Sequence, residues 1–287
     1  MIVNLFDSNF GSWPISTAYQ TSQHIQYVRD QMTFDGVTIF TDEWINNPVV
    51  DEVKSRYKVG WLHEPYCLHT PTYEHAEGNF GRFDLILTYH QPFLDKYPDK
   101  CKLVIYAGTW INRRDWGIKP KSKLCSMLIG SKLATDGHRI RHEIADMIEC
   151  EGYPVDPSTG SGCDFYGARG EPVGYGQDTK LAVLSDYCFS IVTETCREDN
   201  LFTEWLLDCF AVGTVPIFWG APNIHKFFDV SGILQFDTVD RLQKILSRLS
   251  MGLWADKMMA AYTNLLKMRG YAVTEDWLYF NVLKELE

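Results

Sequence analysis

Carboxylates and imidazoles recur in this chain directly after short apolar runs, a placement that could support acid–base chemistry. MIVNLF is followed by Asp7 and Ser8, VTIFT (37–41) by Asp42 and Glu43, KVGWL (58–62) by His63, Glu64 and Pro65, and FDLILTY (83–89) by His90. Further along, LCSMLIG (124–130) is followed by Ser131 and Lys132, CDFYG (163–167) by Ala168 and Arg169, YCFSIVT (187–193) by Glu194, and VPIFW (215–219) by Gly220. A carboxylate such as Glu64 can take a proton from a hydroxyl, and Arg or Lys side chains can stabilise a leaving anion. Glu43 competes with Glu64 by position. Most residues at such corners only solvate a loop or cap a helix, so placement alone selects none of them.

The elements that must position these groups alternate along the chain. The apolar runs, with KLVIYA (102–107) and GILQF (232–236), read as strands. Helical patterns fill the gaps around 17–32, 48–57, 136–152, 179–186, 202–212 and 237–250, and the chain is helical from about 255. Asp136 is the expected N-cap of the 136–152 helix and Gly152 its stop. The order strand, helix, strand predicts parallel α/β sheets, whose ligands bind beyond the carboxyl ends of the strands. The charged, aperiodic NRRDWGIKPKSK (112–123) reads as a linker, and 152–176, with seven glycines, as loop. The expected division is a first domain over 1–118, a second over 119–265 and a C-terminal helix over 266–287 that packs back on the first domain.

Composition limits the function classes. The net charge is −10, from 37 acidic and 27 basic residues among 287, which excludes a general nucleic-acid binder. No apolar run is long enough to span a bilayer, and the start has no leader pattern. Eight scattered cysteines without a C-x-x-C fit a reduced, cytoplasmic setting. No P-loop, dinucleotide fingerprint, H-E-x-x-H or G-x-S-x-G elbow is present, and no His/Cys spacing predicts a structural metal.

The run SDYCFSIVTETCREDNLFTEWLLDCFAVGTVPIFWGAPNI (185–224) resembles the donor-binding core of the family 10 glycosyltransferases, the α1,3/1,4-fucosyltransferases. Tyr187, Phe189, Glu194, Thr203, Glu204, Ala211, Gly213, Thr214, Val215, Pro216, Gly220, Ala221 and Pro222 fall in place without gaps. Arg141 in RHEIADMI resembles the family's donor-phosphate residue, DFYGARG (164–170) a strand end, and GWLHEPY (60–66) the strand that ends in the catalytic glutamate. The resemblance implies a GT-B fold of two Rossmann-like domains facing across a cleft. It also implies inverting transfer of fucose from GDP-fucose to a glycan hydroxyl. It assigns Glu64 as base and Arg141, Tyr187, Glu194, Thr195, Thr203, Glu204 and Gly220 to the donor.

This chain departs from the family at Thr195-Cys196, where the family has Asn-Ser, at Leu201 for its tyrosine, and at Trp205 for the lysine that would meet the diphosphate. Lys132, Arg139 and Arg197 are the candidates to restore that charge. The scheme needs no cofactor or metal, while leaving room for a divalent ion. The alternatives are a non-catalytic nucleotide-sugar or carbohydrate-binding protein, a GT-B transferase with another donor, and a retaining transferase, whose E-x7-E spacing is absent because Glu194 and Glu204 stand ten apart.

Overall fold

The computed structural model describes residues 1–8, 20–105, 107–152, 162–174 and 176–287. Two parallel sheets carry the architecture. The first holds β1 (Ile2–Phe6), β2 (Gln26–Arg29), β3 (Thr33–Thr41), β4 (Lys54–Leu62), β5 (Leu85–Thr88) and β6 (Cys101–Leu103), in the order β2-β1-β3-β4-β5-β6. The second holds β7 (Lys123–Ile129), β8 (Cys163–Gly167), β9 (Tyr187–Thr193), β10 (Val215–Trp219) and β11 (Leu234–Gln235), in the order β11-β10-β9-β7-β8. Helices connect them: α1 (Val49–Glu52), α2 (Tyr66–Glu77), α3 (Gln91–Lys96), α4 (Asp136–Glu151), α5 (Gln177–Leu184), α6 (Glu204–Val212), α7 (Val239–Leu246), α8 (Met251–Asp256), α9 (Met258–Met268) and α10 (Thr274–Asn281).

The burial of β9 explains its unbroken apolar run. Every residue of YCFSIVT is buried, because helices cover both faces of a central parallel strand. Tyr187 and Val192 belong to one hydrophobic cluster of the second domain, and Cys188, Phe189 and Ile191 to another. Thr203 caps α6 by accepting from Trp205 N at 3.4 Å, and Gly213 ends the helix at φ 74°. Only glycine adopts that conformation cheaply. A Cβ there would also lie 2.6 Å from Cδ1 of Ile118 in the connector between the sheets.

Several expectations are corrected. The helix expected near 17–32 is replaced over Gln26–Arg29 by an edge strand paired with β1, and residues 9–19 lie outside the described residues. The helix expected over 48–57 stops at Glu52, and Lys54 already pairs with Thr33; an available strand partner outweighs local propensity. Thr135, not Asp136, caps α4, accepting from His138 N at 3.2 Å. Gly152 does stop that helix, at φ 73°. GILQF pairs only through Leu234–Gln235, and KLVIYA only through its first residues.

The connector lies along α6. Thr109 Oγ1 and Trp110 N donate to Asp208 Oδ1 at 2.7 and 2.8 Å, and Gly117 N donates to Ala211 O at 2.9 Å. After the second sheet the chain returns to the first. Leu278 of α10 and Leu283 share a core with Val3, Leu5, Val37 and Trp61, and Ser22 Oγ donates to Asp276 at 2.5 Å. Among the described residues no helix is long and apolar enough to cross a membrane.

Candidate active site

The first sheet delivers a three-residue relay to the carboxyl ends of β3 and β4. Asp42 follows β3 in the left-handed region, φ 39°, a conformation that non-glycine residues rarely adopt. The turn points its carboxylate at β4, where Oδ1 accepts from the backbone N–H of His63 (3.0 Å) and Glu64 (3.3 Å). Its other oxygen pairs with His63 Nδ1, and His63 Nε2 lies 3.4 Å from Glu64 Oε1. Tyr73 Oη holds the Glu64 carbonyl at 2.7 Å. The side chains of Asp42 and His63 are 0% and 1% exposed, whereas that of Glu64 is 32% exposed, so Glu64 is the member that meets solvent.

Electrostatics keep this relay charged. Burial alone would lower the His63 pKa, but the charge and hydrogen bond of Asp42, with Glu64, outweigh it and hold the imidazole at about 9. The hydrogen bond from His63 in turn holds the Glu64 carboxyl below the usual glutamate range, and the charge of Lys132 in the loop after β7 adds to this. Glu43, its competitor, is exposed on the 3-10 turn Asp42–Asn46.

The second sheet builds the other wall at the end of β9. Glu194, 1% exposed, accepts from Thr203 N and Thr203 Oγ1, both at 2.9 Å. Burial and then the nearby Glu204 push its carboxyl up to about 7. Gly137, in the first turn of α4, donates from N to Thr195 O at 3.1 Å, and a side chain at Gly137 would overlap the backbone of Glu194. Arg141, one turn along α4, is buried and donates from Nε and Nη2 to Thr193 Oγ1 and O, both at 2.7 Å. Thr193 and Thr203 thus fix the arginine and the carboxylate on either side of the strand end.

Beside them a pocket of about 460 Å³ opens beyond the ends of β7 and β8. Its lining includes Trp110, Ser131, Gly167, Gly176, Lys180, Glu204 and Trp205. Lys180 Nζ lies 3.9 Å from the centroid of the Trp205 ring and 3.2 Å from Asp208 Oδ2, and the Arg141 guanidinium is 5.3 Å from the same ring. Two cations therefore face one indole, each an attractive contact with its π-system. Glu204 starts α6; burial raises its carboxyl pKa while Lys180 pulls it down. Such a pocket offers indoles to stack on a ring, a carboxylate to accept from hydroxyls, and ammonium charge for an anion. A larger cavity, about 730 Å³, lies at the amino ends of β1 and β2, the end of a parallel sheet that does not usually bind ligands.

The structure therefore brings Arg141, Glu194, Thr195, Thr203 and Glu204 together at one strand end. Tyr187 is corrected. It begins β9, at the opposite end of the strand, where it is buried and bonded to Tyr166 Oη (2.6 Å) and Asp164 (2.5 Å). Gly220 acts indirectly, since a Cβ there would overlap the Phe218 ring and lie 2.8 Å from Glu194 Cγ, so its bareness seats Glu194. Of the proposed cations, Arg139 is engaged with Asp136 at 2.5 Å and with the carbonyls of Leu133 and Ala134, and Arg197 is exposed. The cation that joins Arg141 at the indole is Lys180, which the sequence reading missed. Its spacing with Val183 and Leu184, all buried on one face of α5, is the signal that could have found it.

The loop after Glu194 also docks the second sheet on the first. Asn200 Nδ2 donates to Tyr89 O and Gln91 Oε1, both at 2.9 Å, and Tyr89 Oη donates to Glu198 at 2.9 Å. Cys196 and Leu201 sit in the hydrophobic core of the first domain.

No protein-family model matches the chain. Among curated proteins, the alpha-(1,3)-fucosyltransferase FucT of Helicobacter pylori is 31% identical over 75 residues, a stretch that covers 26% of this chain and 15% of that protein. Among solved structures, an alpha1,3-fucosyltransferase aligns with TM-score 0.53 at 16% identity, covering 91% of this chain and 81% of that one. An alpha1,3-fucosyltransferase with GDP-fucose aligns at 0.50 and 13%, covering 92% and 81%. The alpha,alpha-trehalose 6-phosphate synthase from Burkholderia multivorans aligns at 0.54 and 12%, covering 88% and 70%. The chain thus has the expected GT-B-like fold, two parallel α/β sheets with their helices, and is distantly similar to the α1,3-fucosyltransferases.

Proposed function

We propose that the chain is an inverting glycosyltransferase that moves a sugar, fucose from GDP-fucose, to a hydroxyl of a glycan. The observation that carries this reading is the buried Asp42–His63 pair that presents a half-exposed Glu64 on one lobe, and on the other a pocket lined by Lys180, Glu204 and Trp205, with the Arg141 guanidinium 5.3 Å from the Trp205 ring. In the reaction the acceptor oxygen attacks the anomeric carbon as the sugar–phosphate bond breaks. The acceptor proton passes to Glu64, and the nucleoside diphosphate leaves with the bonding electrons. A weak base suffices, because the hydroxyl becomes acidic only as its oxygen bonds to an oxocarbenium-like carbon. His63 stays protonated throughout and orients Glu64.

On the donor side Glu204 accepts from hydroxyls of the sugar or ribose, and Arg141 with Lys180 meets the diphosphate. Lys180 then supplies from α5 the charge that the similar family carries at the position of Trp205. Glu194 holds Thr203 and the start of α6. The similarity to the Helicobacter pylori enzyme supports fucose as the sugar. The test is transfer from a panel of nucleotide sugars to oligosaccharide acceptors, read as nucleoside diphosphate release and product mass. GDP-fucose should be the productive donor, and Glu64→Gln should abolish transfer while leaving donor affinity unchanged. Near-wild-type turnover by Glu64→Gln would remove the base, and binding without turnover by the wild type would remove the enzyme.

A further inference from the structure

Three side chains meet at the seam between the lobes and have no part in the transfer scheme. Cys196 and Glu198 come from the loop after β9, and Cys67 from the first turn of α2. Their donor atoms, two Sγ and one carboxylate oxygen, all lie within 4.8 Å of one another, and Cys196 Sγ is 3.5 Å from Glu198 Oε1. A tetrahedral zinc ion with Zn–S near 2.3 Å and Zn–O near 2.1 Å sets its sulfurs roughly 3.8 Å apart and sulfur and oxygen roughly 3.6 Å apart. Cys196 and Glu198 therefore already stand at ligand spacing, and Cys67 needs a shift of at most about 1 Å to join them.

Two further features favour a cation over a simple thiol contact. Glu198 Oε2 accepts from Tyr89 Oη at 2.9 Å and lies 3.6 Å from His90 Nδ1. The His90 ring is stacked on Tyr66 at 4.6 Å, so the outer partners that orient a ligating carboxylate are in place. Once the two thiols lose their protons on binding, the group carries three negative charges, which a divalent ion offsets. A Cys67–Cys196 disulfide would use the sulfurs but give Glu198 no role. Cys196 is buried and Cys67 half-buried, which leaves one side of the group open.

We propose that Cys67, Cys196 and Glu198 bind a zinc-type divalent ion that ties the two lobes together, with water in the fourth position. Binding would release the two thiol protons to solvent. The ligands come from different lobes and are far apart in sequence, so no C-x-x-C or His/Cys spacing could reveal them. The inference stands apart from the transfer reaction, and a failure of either leaves the other intact.

The full chain, reduced and stripped with a chelator, should take up one Zn²⁺ per molecule in competition with a chromophoric chelator. Co²⁺ in its place should give the near-ultraviolet thiolate-to-cobalt absorption. Cys67→Ser and Cys196→Ser should each lose that absorption, and Glu198→Gln should weaken Zn²⁺ binding by at least about tenfold. Near-ultraviolet circular dichroism of the metal-free variants checks that they fold, and Glu198→Gln gives the same test without touching a thiol. The proposal is overturned if folded wild type shows no thiolate-to-cobalt absorption, or if the absorption survives in both serine variants. It is also overturned if the reduced chain excludes metal and closes instead, under mild oxidation, to a species two hydrogens lighter.

Discussion

Replacing Asp42 by Asn isolates the electrostatic part of the relay. Asn keeps an oxygen for the N–H groups of His63 and Glu64 and tolerates the left-handed backbone, so the turn survives while the negative charge goes. In the wild type His63 titrates at about 9 against 6.5 in the unfolded chain. Its folded pKa is raised, so the stability it contributes is fully present below pH 6.5 and is lost as pH rises through 9. The difference, 9 − 6.5, corresponds to about 3 kcal/mol.

The wild-type curve alone would conceal this. Burial draws Lys121 down to about 7 from 10.5, and a lysine lowered in the fold makes stability rise with pH over that interval. The informative quantity is therefore wild type minus Asp42→Asn. Urea denaturation followed by fluorescence of the nine tryptophans, at intervals from pH 6 to 10, should show this difference shrinking by about 3 kcal/mol. A difference that stays flat to within about 1 kcal/mol, close to one pKa unit, would mean that Asp42 does not hold a charged His63.

Glu64 is held below the usual glutamate range, so the acid limb of kcat/KM should fall below about pH 4.3. Asp42→Asn, which weakens the charge on His63, should move it upward; a wild-type limb near pH 6 would contradict the relay. Lys180→Met leaves Asp208 buried without its cation and should cost about 3–5 kcal/mol in urea denaturation. Adding Asp208→Asn should restore much of that stability, while calorimetric titration still shows weakened nucleoside diphosphate binding. If the double variant binds like wild type, Lys180 is only a structural partner of Asp208. Gly220→Ala should destabilise by about 1–3 kcal/mol through overpacking against Phe218 and Glu194, and an unchanged urea midpoint would refute that packing.

The sequence was most legible where local chemistry decides the structure. The shift from helical to strand periodicity across Gly213 located α6 and β10, because a left-handed glycine is a local requirement. The strand β9 was readable to the residue, since burial on both faces leaves an uninterrupted apolar run. Gln26–Arg29 was illegible as a strand because its partner, β1, lies some twenty residues away. The candidate site divides in the same way. Glu194 stands directly after its strand and Glu64 one residue beyond, and both were visible. Asp42 was noted only as a strand-end acid, since its tie to His63 depends on β3 and β4 lying side by side. Lys180 went unnoticed because its partners, Trp205 and Asp208, are on another helix. Tyr187 matched a motif, yet the direction of β9 places it at the wrong end of the sheet.

The segment from Glu194 to Glu204 has two attachments. One end, at Glu204, lines the pocket that holds Lys180 and Trp205, while Asn200 and Leu201 are fastened into the opposite lobe. A ligand that orders this segment from one side therefore alters the free energy of the other, and thermodynamic linkage makes that influence mutual. The two substrates should consequently not bind as strangers: the affinity for one should depend on whether the other is present, by the same factor in each direction.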